Sequence, residues 1–301
     1  MIDPASNDML VVSSAPHVRG AETMPRSMII TLAALLPAAA VAVMWNGVHS
    51  FFVIVICMAA AAATEWVFLS RGKKRPVMID GSAAVTGLLL ALSFPPQVPF
   101  VAALLGPVFA IAIVKMALGG LGRNFLNPAL AGRVFCALSF PAAFAAAAPS
   151  IPSGGNMFFD LVIGHQSGWI GGFSAGALLA GAIVLRCLRI IDVTLPVAFA
   201  GSAYVLFRCF GGANTALSAM SGIGIGSLLL CAFFMATDPV TSPKTVPARF
   251  LFGAGCGILT FFLIKFGGAN NSVAYAVLTM NLLIPYLDRY CSRVRKRCAT
   301  N

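Results

Sequence analysis

The chain has 301 residues, of which 59% are hydrophobic and only 10% charged, with a formal net charge of +11. Soluble domains carry about 25% charged residues, so the composition excludes a soluble protein and implies an all-α integral membrane chain in contact with the lipid bilayer. The positive charge does not mark a nucleic-acid binder, because the basic residues are scattered between apolar runs and build no continuous basic face.

Residues 1–26 are polar, lack the apolar core of a signal peptide, and read as a cytoplasmic N-terminal segment. Beyond them, apolar runs and their breakers predict about ten transmembrane helices, near 27–45, 49–69, 81–95, 99–118, 127–147, 169–187, 190–207, 216–236, 249–266 and 271–287. The third ends in Pro95-Pro96 and the eighth in Thr237-Asp238-Pro239. Residues 148–168 form an outer loop and 288–301 a basic cytoplasmic tail. With both termini inside, every Lys and Arg of the 20 except Arg208 and Lys265 falls in an inner segment. That bias fits an even number of spans.

The two halves, 27–147 and 169–287, resemble each other. Gly87-Leu-Leu-Leu-Ala-Leu-Ser-Phe-Pro-Pro96 answers Ser227-Leu-Leu-Leu-Cys-Ala-Phe-Phe-Met-Ala-Thr-Asp-Pro239. Lys115 followed by Gly119-Gly120 answers Lys265 followed by Gly267-Gly268, and the segment from Asn124 to Arg133 answers that from Asn281 to Arg289. Five spans per copy make the second copy insert upside down, so the expected architecture is two inverted five-helix repeats with function between them. Interrupted helices free backbone groups, which a membrane tolerates only where protein or a cavity surrounds them.

Ionisable and amide side chains in apolar surroundings are the candidate site residues. Asp238, before a proline at the end of an apolar run, is either an ion or cofactor contact or a structural turn. Asp80, before Gly81-Ser82, reads as a helix cap or part of an ion pathway. Asn124 and Asn127 flank a glycine-rich turn and either hold a ligand or cap a helix. Thr237 adjoins Asp238. Glu65 either pairs with the basic loop after span two or belongs to a pathway, and Asp192 reads as half of a surface ion pair. His17, His49 and His165 are too far apart for a metal set, and the eight cysteines contain no Cys-x-x-Cys. No metal site and no catalytic triad is expected, and nothing marks ATP hydrolysis. Inverted repeats suit a small-solute transporter or channel as well as a redox-driven pump.

Several strings decide between these readings by resemblance. Val12-Ser-Ser-Ala-Pro-His17, Asp80-Gly-Ser-Ala-Ala-Val-Thr-Gly-Leu-Leu-Leu-Ala-Leu92, Gly119-Gly-Leu-Gly-Arg-Asn-Phe-Leu-Asn-Pro-Ala-Leu-Ala-Gly-Arg133 and Phe233-Phe-Met-Ala-Thr-Asp-Pro-Val-Thr-Ser-Pro243 resemble the D subunit of the Rnf electron-transport complex. The third string is also similar to the B subunit of the sodium-pumping NADH:quinone reductase. The resemblance runs from about residue 12 to residue 290. It implies a subunit of a six-subunit complex of the bacterial inner membrane, which couples electron transfer between NAD(H) and ferredoxin to Na⁺ or H⁺ movement. On that footing the chain is part of a translocase rather than a stand-alone enzyme.

The resemblance also implies FMN or another flavin, with Asn124, Asn127, Thr237 and Asp238 as candidate contacts and Asp238 and Asp80 on an ion pathway. In the family, FMN is joined to a threonine of the outer loop. Here residues 148–168 hold no threonine, and Asp160-Leu-Val-Ile-Gly164 and Gly168-Trp-Ile-Gly-Gly-Phe-Ser174 match the stretch C-terminal to the family's flavin-bearing segment. That segment is deleted, so no covalent FMN is expected at the family's position. The missing threonine keeps the small-solute transporter or channel open as an alternative, and a flavin-free structural subunit is a third reading.

Overall fold

The computed structural model describes residues 24–71, 81–120, 122, 124–145, 169–210, 225–267 and 271–300, the side chains of 71 and 294–300 excepted. Asp80 and the outer loop 148–168 lie outside them. All regular structure among the described residues is helical. The first half contains α1 (Met24–Asn46), α2 (Val48–Arg71), α3 (Ser82–Ser93), α4 (Phe100–Phe109, continuing as a π-helix over Ala110–Met116), α5 (Pro128–Ser139) and the short α6 (Pro141–Ala145). After a 3-10 turn at Ile170–Gly172 come α7 (Ala175–Cys187), α8 (Thr194–Phe210), α9 (Ile225–Leu230, continuing as a π-helix over Cys231–Met235), α10 (Val246–Gly267) and α11 (Ser272–Thr300).

Three stretches are long and apolar enough to cross a membrane: Pro25–Asn46, Val48–Ser70 and Val246–Gly267. Six further apolar helices have only 10–17 residues. The 12-residue α3 rises about 18 Å, well short of a hydrocarbon core of roughly 30 Å. The spans expected at 81–95 and 127–147 are therefore not single uninterrupted crossings. Pro141 explains the second break: it lacks an N–H and disfavours the helical region for Phe140, which sits at φ −129, ψ 58. The boundary expected at 288 is not a helix end either. Nothing after Pro285 breaks a helix, and α11 runs to Thr300.

Neighbour relations in the first half recur in the second. In the first half α2 packs on α3 and α4, α4 on α5, and α3 on α1 and α5. In the second, α8 packs on α9 and α10, α10 on α11, and α9 on α7 and, through its π-helix, on α11. Helices α1 with α7, and α5 with α11, join the halves.

Small residues set the closest approaches. Gly253 and Gly257, four apart on one face of α10, rest against α8, where a Cβ at Gly257 would stand 2.6 Å from the Phe199 carbonyl oxygen. Such small-residue faces let membrane helices pack backbone to backbone. Large apolar side chains such as Leu36, Phe52, Val55, Ile183, Val197 and Phe262 point outward and are exposed. So broad an apolar exterior is the surface of a membrane protein.

The interior also holds charge. Lys115 and Arg133 are 2% and 1% exposed, although the charge pattern of the sequence assigns both to basic inner segments. Shielded inside the protein, they are not loop charges, and orientation rests on the other basic residues.

Candidate functional site

The two π-helices end at the same place. A π-turn carries an extra residue relative to the α-helix and recurs at functional sites. Between the ends lies a cavity of about 70 Å³, walled by Thr31 of α1, Ser82 and Thr86 of α3, Lys115 of the first π-helix, Asn124 and Asn127 before α5, and Thr237 and Asp238 after the second π-helix. Four of the candidate residues, Asn124, Asn127, Thr237 and Asp238, thus share one cavity; Glu65 and Asp192 do not line it, and Asp80 lies outside the described residues.

Asn127 holds the site together. Its Oδ1 accepts from the N–H groups of Ala129 (2.9 Å) and Leu130 (3.2 Å), capping α5 ahead of Pro128. Its Nδ2 donates to the Met235 carbonyl at 2.7 Å. The cap and the crossing bond are made by one amide, so the break after α9 finds part of its lost backbone pairing in the other half of the chain. Asn281 of α11, 1% exposed, completes the arrangement with its amide turned to suit both neighbours, accepting from the Asn127 N–H at 3.1 Å and donating to the Thr241 carbonyl at 3.3 Å.

Asp238 is half-buried. Its Oδ1 accepts from Val240 N–H at 3.4 Å and its Oδ2 from the Thr241 hydroxyl at 3.2 Å. These bonds shape the turn after α9, and the same carboxylate borders the cavity. The Thr237 hydroxyl donates to the Phe233 carbonyl at 2.5 Å. Asn124 donates through Nδ2 to the Leu126 carbonyl at 3.3 Å. Its Oδ1 is buried without a hydrogen-bond partner among the described residues, a costly arrangement that an occupant of the cavity would relieve.

Two further charged residues belong here whose pairing the sequence did not show. Lys115 Nζ donates to Glu65 Oε1 and to Ser82 Oγ, each at 2.5 Å. Glu65 therefore pairs with a buried lysine of α4's π-helix; the basic loop after α2 lies outside the described residues. At Lys115 the sequence offered the repeated Lys followed by Gly-Gly and the charge bias, and neither pointed to Glu65.

A polar cleft of about 250 Å³ adjoins the cavity and shares Ile190, Ile191, Thr237 and Pro239 with it. Arg189, Asp192, Lys244 and Arg249 line it. Arg249 Nη1 donates to Asp192 Oδ2 at 2.8 Å, joining the foot of α10 to the α7–α8 loop. Burial works against the Asp192 carboxylate, but hydrogen bonds from Thr194 and Arg249, with the guanidinium charge, outweigh it and hold its pKa below the ordinary 3.8.

A second polar cluster lies elsewhere in the interior. The Arg133 guanidinium stands 3.5 Å over the Trp169 ring and donates to Asn271 Oδ1 at 3.1 Å. This contact also joins the halves, from α5 to the start of α11.

The cavity does not fit a flavin. Pockets for ligands of that size measure about 300–1,000 Å³, whereas its 70 Å³ suits a few waters or a small cation with part of its hydration shell. Among the described residues no group of three His, Cys, Asp or Glu is placed to hold a metal ion.

Comparison with known proteins gives a consistent result. A family model described as the NQR2, RnfD, RnfE family matches residues 11–296. The chain is 33% identical to the D subunit of the proton-translocating ferredoxin:NAD(+) oxidoreductase complex of Clostridium ljungdahlii, over 96% of each chain. It is 35% identical to the D subunit of the Na(+)-translocating ferredoxin:NAD(+) oxidoreductase complex of Acetobacterium woodii, over 93% of each. To the D subunit of the ion-translocating oxidoreductase complex of Marinobacter nauticus it is 32% identical, over 93% of each.

Proposed function

The chain belongs to the NQR2, RnfD, RnfE family, and from that membership we propose that it is the D-type membrane subunit of an ion-translocating oxidoreductase complex. The complex passes electrons between ferredoxin and NAD(H) and couples them to movement of Na⁺ or H⁺. The observation that carries the ion-handling part is the inner cavity: a carboxylate and a buried, unpartnered amide oxygen meet where two membrane helices break. Asp238, Asn124 and Thr237 line the ion path, and the adjoining cleft connects it to the inner face.

The recurring neighbour relations of the two halves support two inverted five-helix repeats. Their joint, at α5 and α11, carries Asn127–Asn281 at one place and Arg133–Asn271 at another. The charge bias supports both termini on the cytoplasmic side of a bacterial inner membrane. Other subunits of the complex, six in all, are the partners.

A flavin, where this chain carries one, lies outside the inner cavity, and the threonine-free loop 148–168 supports the absence of a covalent attachment there. Purification in mild detergent tests the whole reading. The expected result is co-purification with redox subunits that reduce NAD(+) with reduced ferredoxin, and a band for this chain that is unmodified in mass and dark for flavin fluorescence on a denaturing gel. A chain that purifies alone and carries no redox partner contradicts the proposal.

A further inference from the structure

A fixed positive charge stands in the wall of the inner cavity. Lys115 is 2% exposed. An ammonium has three N–H donors and no acceptor. Two of these donors serve Glu65 of α2 and Ser82 of α3, and no third acceptor among the described residues takes the last. Among the described residues the other charged residue of the cavity wall is Asp238; Ser82, Thr86, Asn124 and Thr237 there are neutral. The unpartnered Oδ1 of Asn124 and the Asp238 carboxylate are oxygen ligands for a hard monovalent cation and equally acceptors for hydronium. The cavity's 70 Å³ admits either.

The ammonium bears the same charge as such an ion. At interior dielectric values two like charges a few ångströms apart repel by several kcal/mol, so lysine and ion do not share the cavity without compensation. Glu65 supplies it. The glutamate does not line the cavity, and it holds the ammonium at the wall.

We propose that Lys115 is a built-in competitor for the transported cation, and that the Glu65 tether sets how strongly it competes. This rests on the ion-path reading of the inner cavity. The shared chemistry of the ion is a small monovalent cation, Na⁺ or hydronium.

The test uses the assembled complex with wild-type chain, K115M, K115R or E65Q. Ferredoxin-driven NAD(+) reduction is measured against Na⁺ at fixed pH and against pH at fixed Na⁺. K115M is expected to lower the half-saturating cation concentration by about tenfold or more, the scale set by removing a unit charge near the ion. E65Q releases the ammonium and is expected to raise it, and K115R keeps the wild-type value. A shift in the Na⁺ series assigns Na⁺; a shift in the pH series assigns hydronium. Unshifted values, or K115M and E65Q moving in the same direction, overturn the proposal. If K115M does not assemble, E65Q and K115R decide it. A wild-type complex without dependence in either series overturns the ion-path reading itself, whereas wild-type dependence with unshifted variants overturns only the role of Lys115.

Discussion

At the scale of single residues, Asn127 concentrates the most structural consequence. Its side chain caps α5 and pairs the free Met235 carbonyl. Losing a cap costs about 0.5–2 kcal/mol, and a buried carbonyl left unpaired costs about 1–3 kcal/mol more. Asn127→Ala is therefore expected to destabilise the protein by roughly 2–4 kcal/mol. Asn127→Asp, which keeps the acceptor but not the donor, should lose the crossing bond alone. Thermal unfolding in detergent, followed by exposure of the buried thiols of Cys57, Cys136, Cys231 and Cys256, reads both.

Asp192 offers a pH test. Its folded pKa lies below 3.8, so its contribution to stability is present above that value and is lost as pH falls through the folded pKa. Asp192→Asn should melt at a lower temperature than wild type near neutrality, and the gap should close in acid below 3.8. A gap that persists there contradicts the ion pair with Arg249.

Much of this chemistry was legible in the sequence. Asn124, Asn127, Thr237 and Asp238 stood out because polar groups in apolar runs are costly and rarely idle. Glu65 stood out for the same reason, and Lys115 and Asn281 through the repeated strings, but their partners did not, because those are set by how helices cross. Asn281 lies 154 positions from Asn127 in the chain, and nothing local links them.

At the scale of elements, helix existence was legible and helix continuity was not. Apolar runs marked where helices lie, but neither the two π-helices nor the stop at Ser139 changes the hydropathy of its run. Pro141 was a breaker in plain view, hidden by the alanines around it. The Gly253–Gly257 face shows the same limit: glycine in an apolar helix is common, and only the structure tells a contact glycine from an idle one. Gly257→Ala is expected to push α10 off α8 and lower the melting temperature. Gly201 of α8 has nothing within 4 Å of a Cβ, so Gly201→Ala should raise stability by up to about 1 kcal/mol through helix propensity. Equal effects of the two substitutions would contradict the packing described.

At the scale of the whole molecule, the halves meet through α1 with α7 and α5 with α11. The inner cavity takes its wall from both halves, so motion of one half against the other changes its shape directly. That geometry suits alternating access, in which one repeat rocks against the other around a central site. The repeated strings point the same way, because Lys, Asn, Pro and Arg recur in the same order amid low-complexity apolar sequence. The lack of a threonine in residues 148–168 was equally plain, since it is a fact of sequence and needs no fold.

The most direct measurement is ion uptake per electron in proteoliposomes carrying the complex with Asp238→Asn. The asparagine oxygen still accepts from Val240 N–H, so the turn is kept while the charge is removed. The account predicts that NAD(+) reduction continues while Na⁺ or H⁺ uptake falls to background. Unchanged uptake per electron would reduce Asp238 to a turn residue and contradict the inner cavity as the ion path.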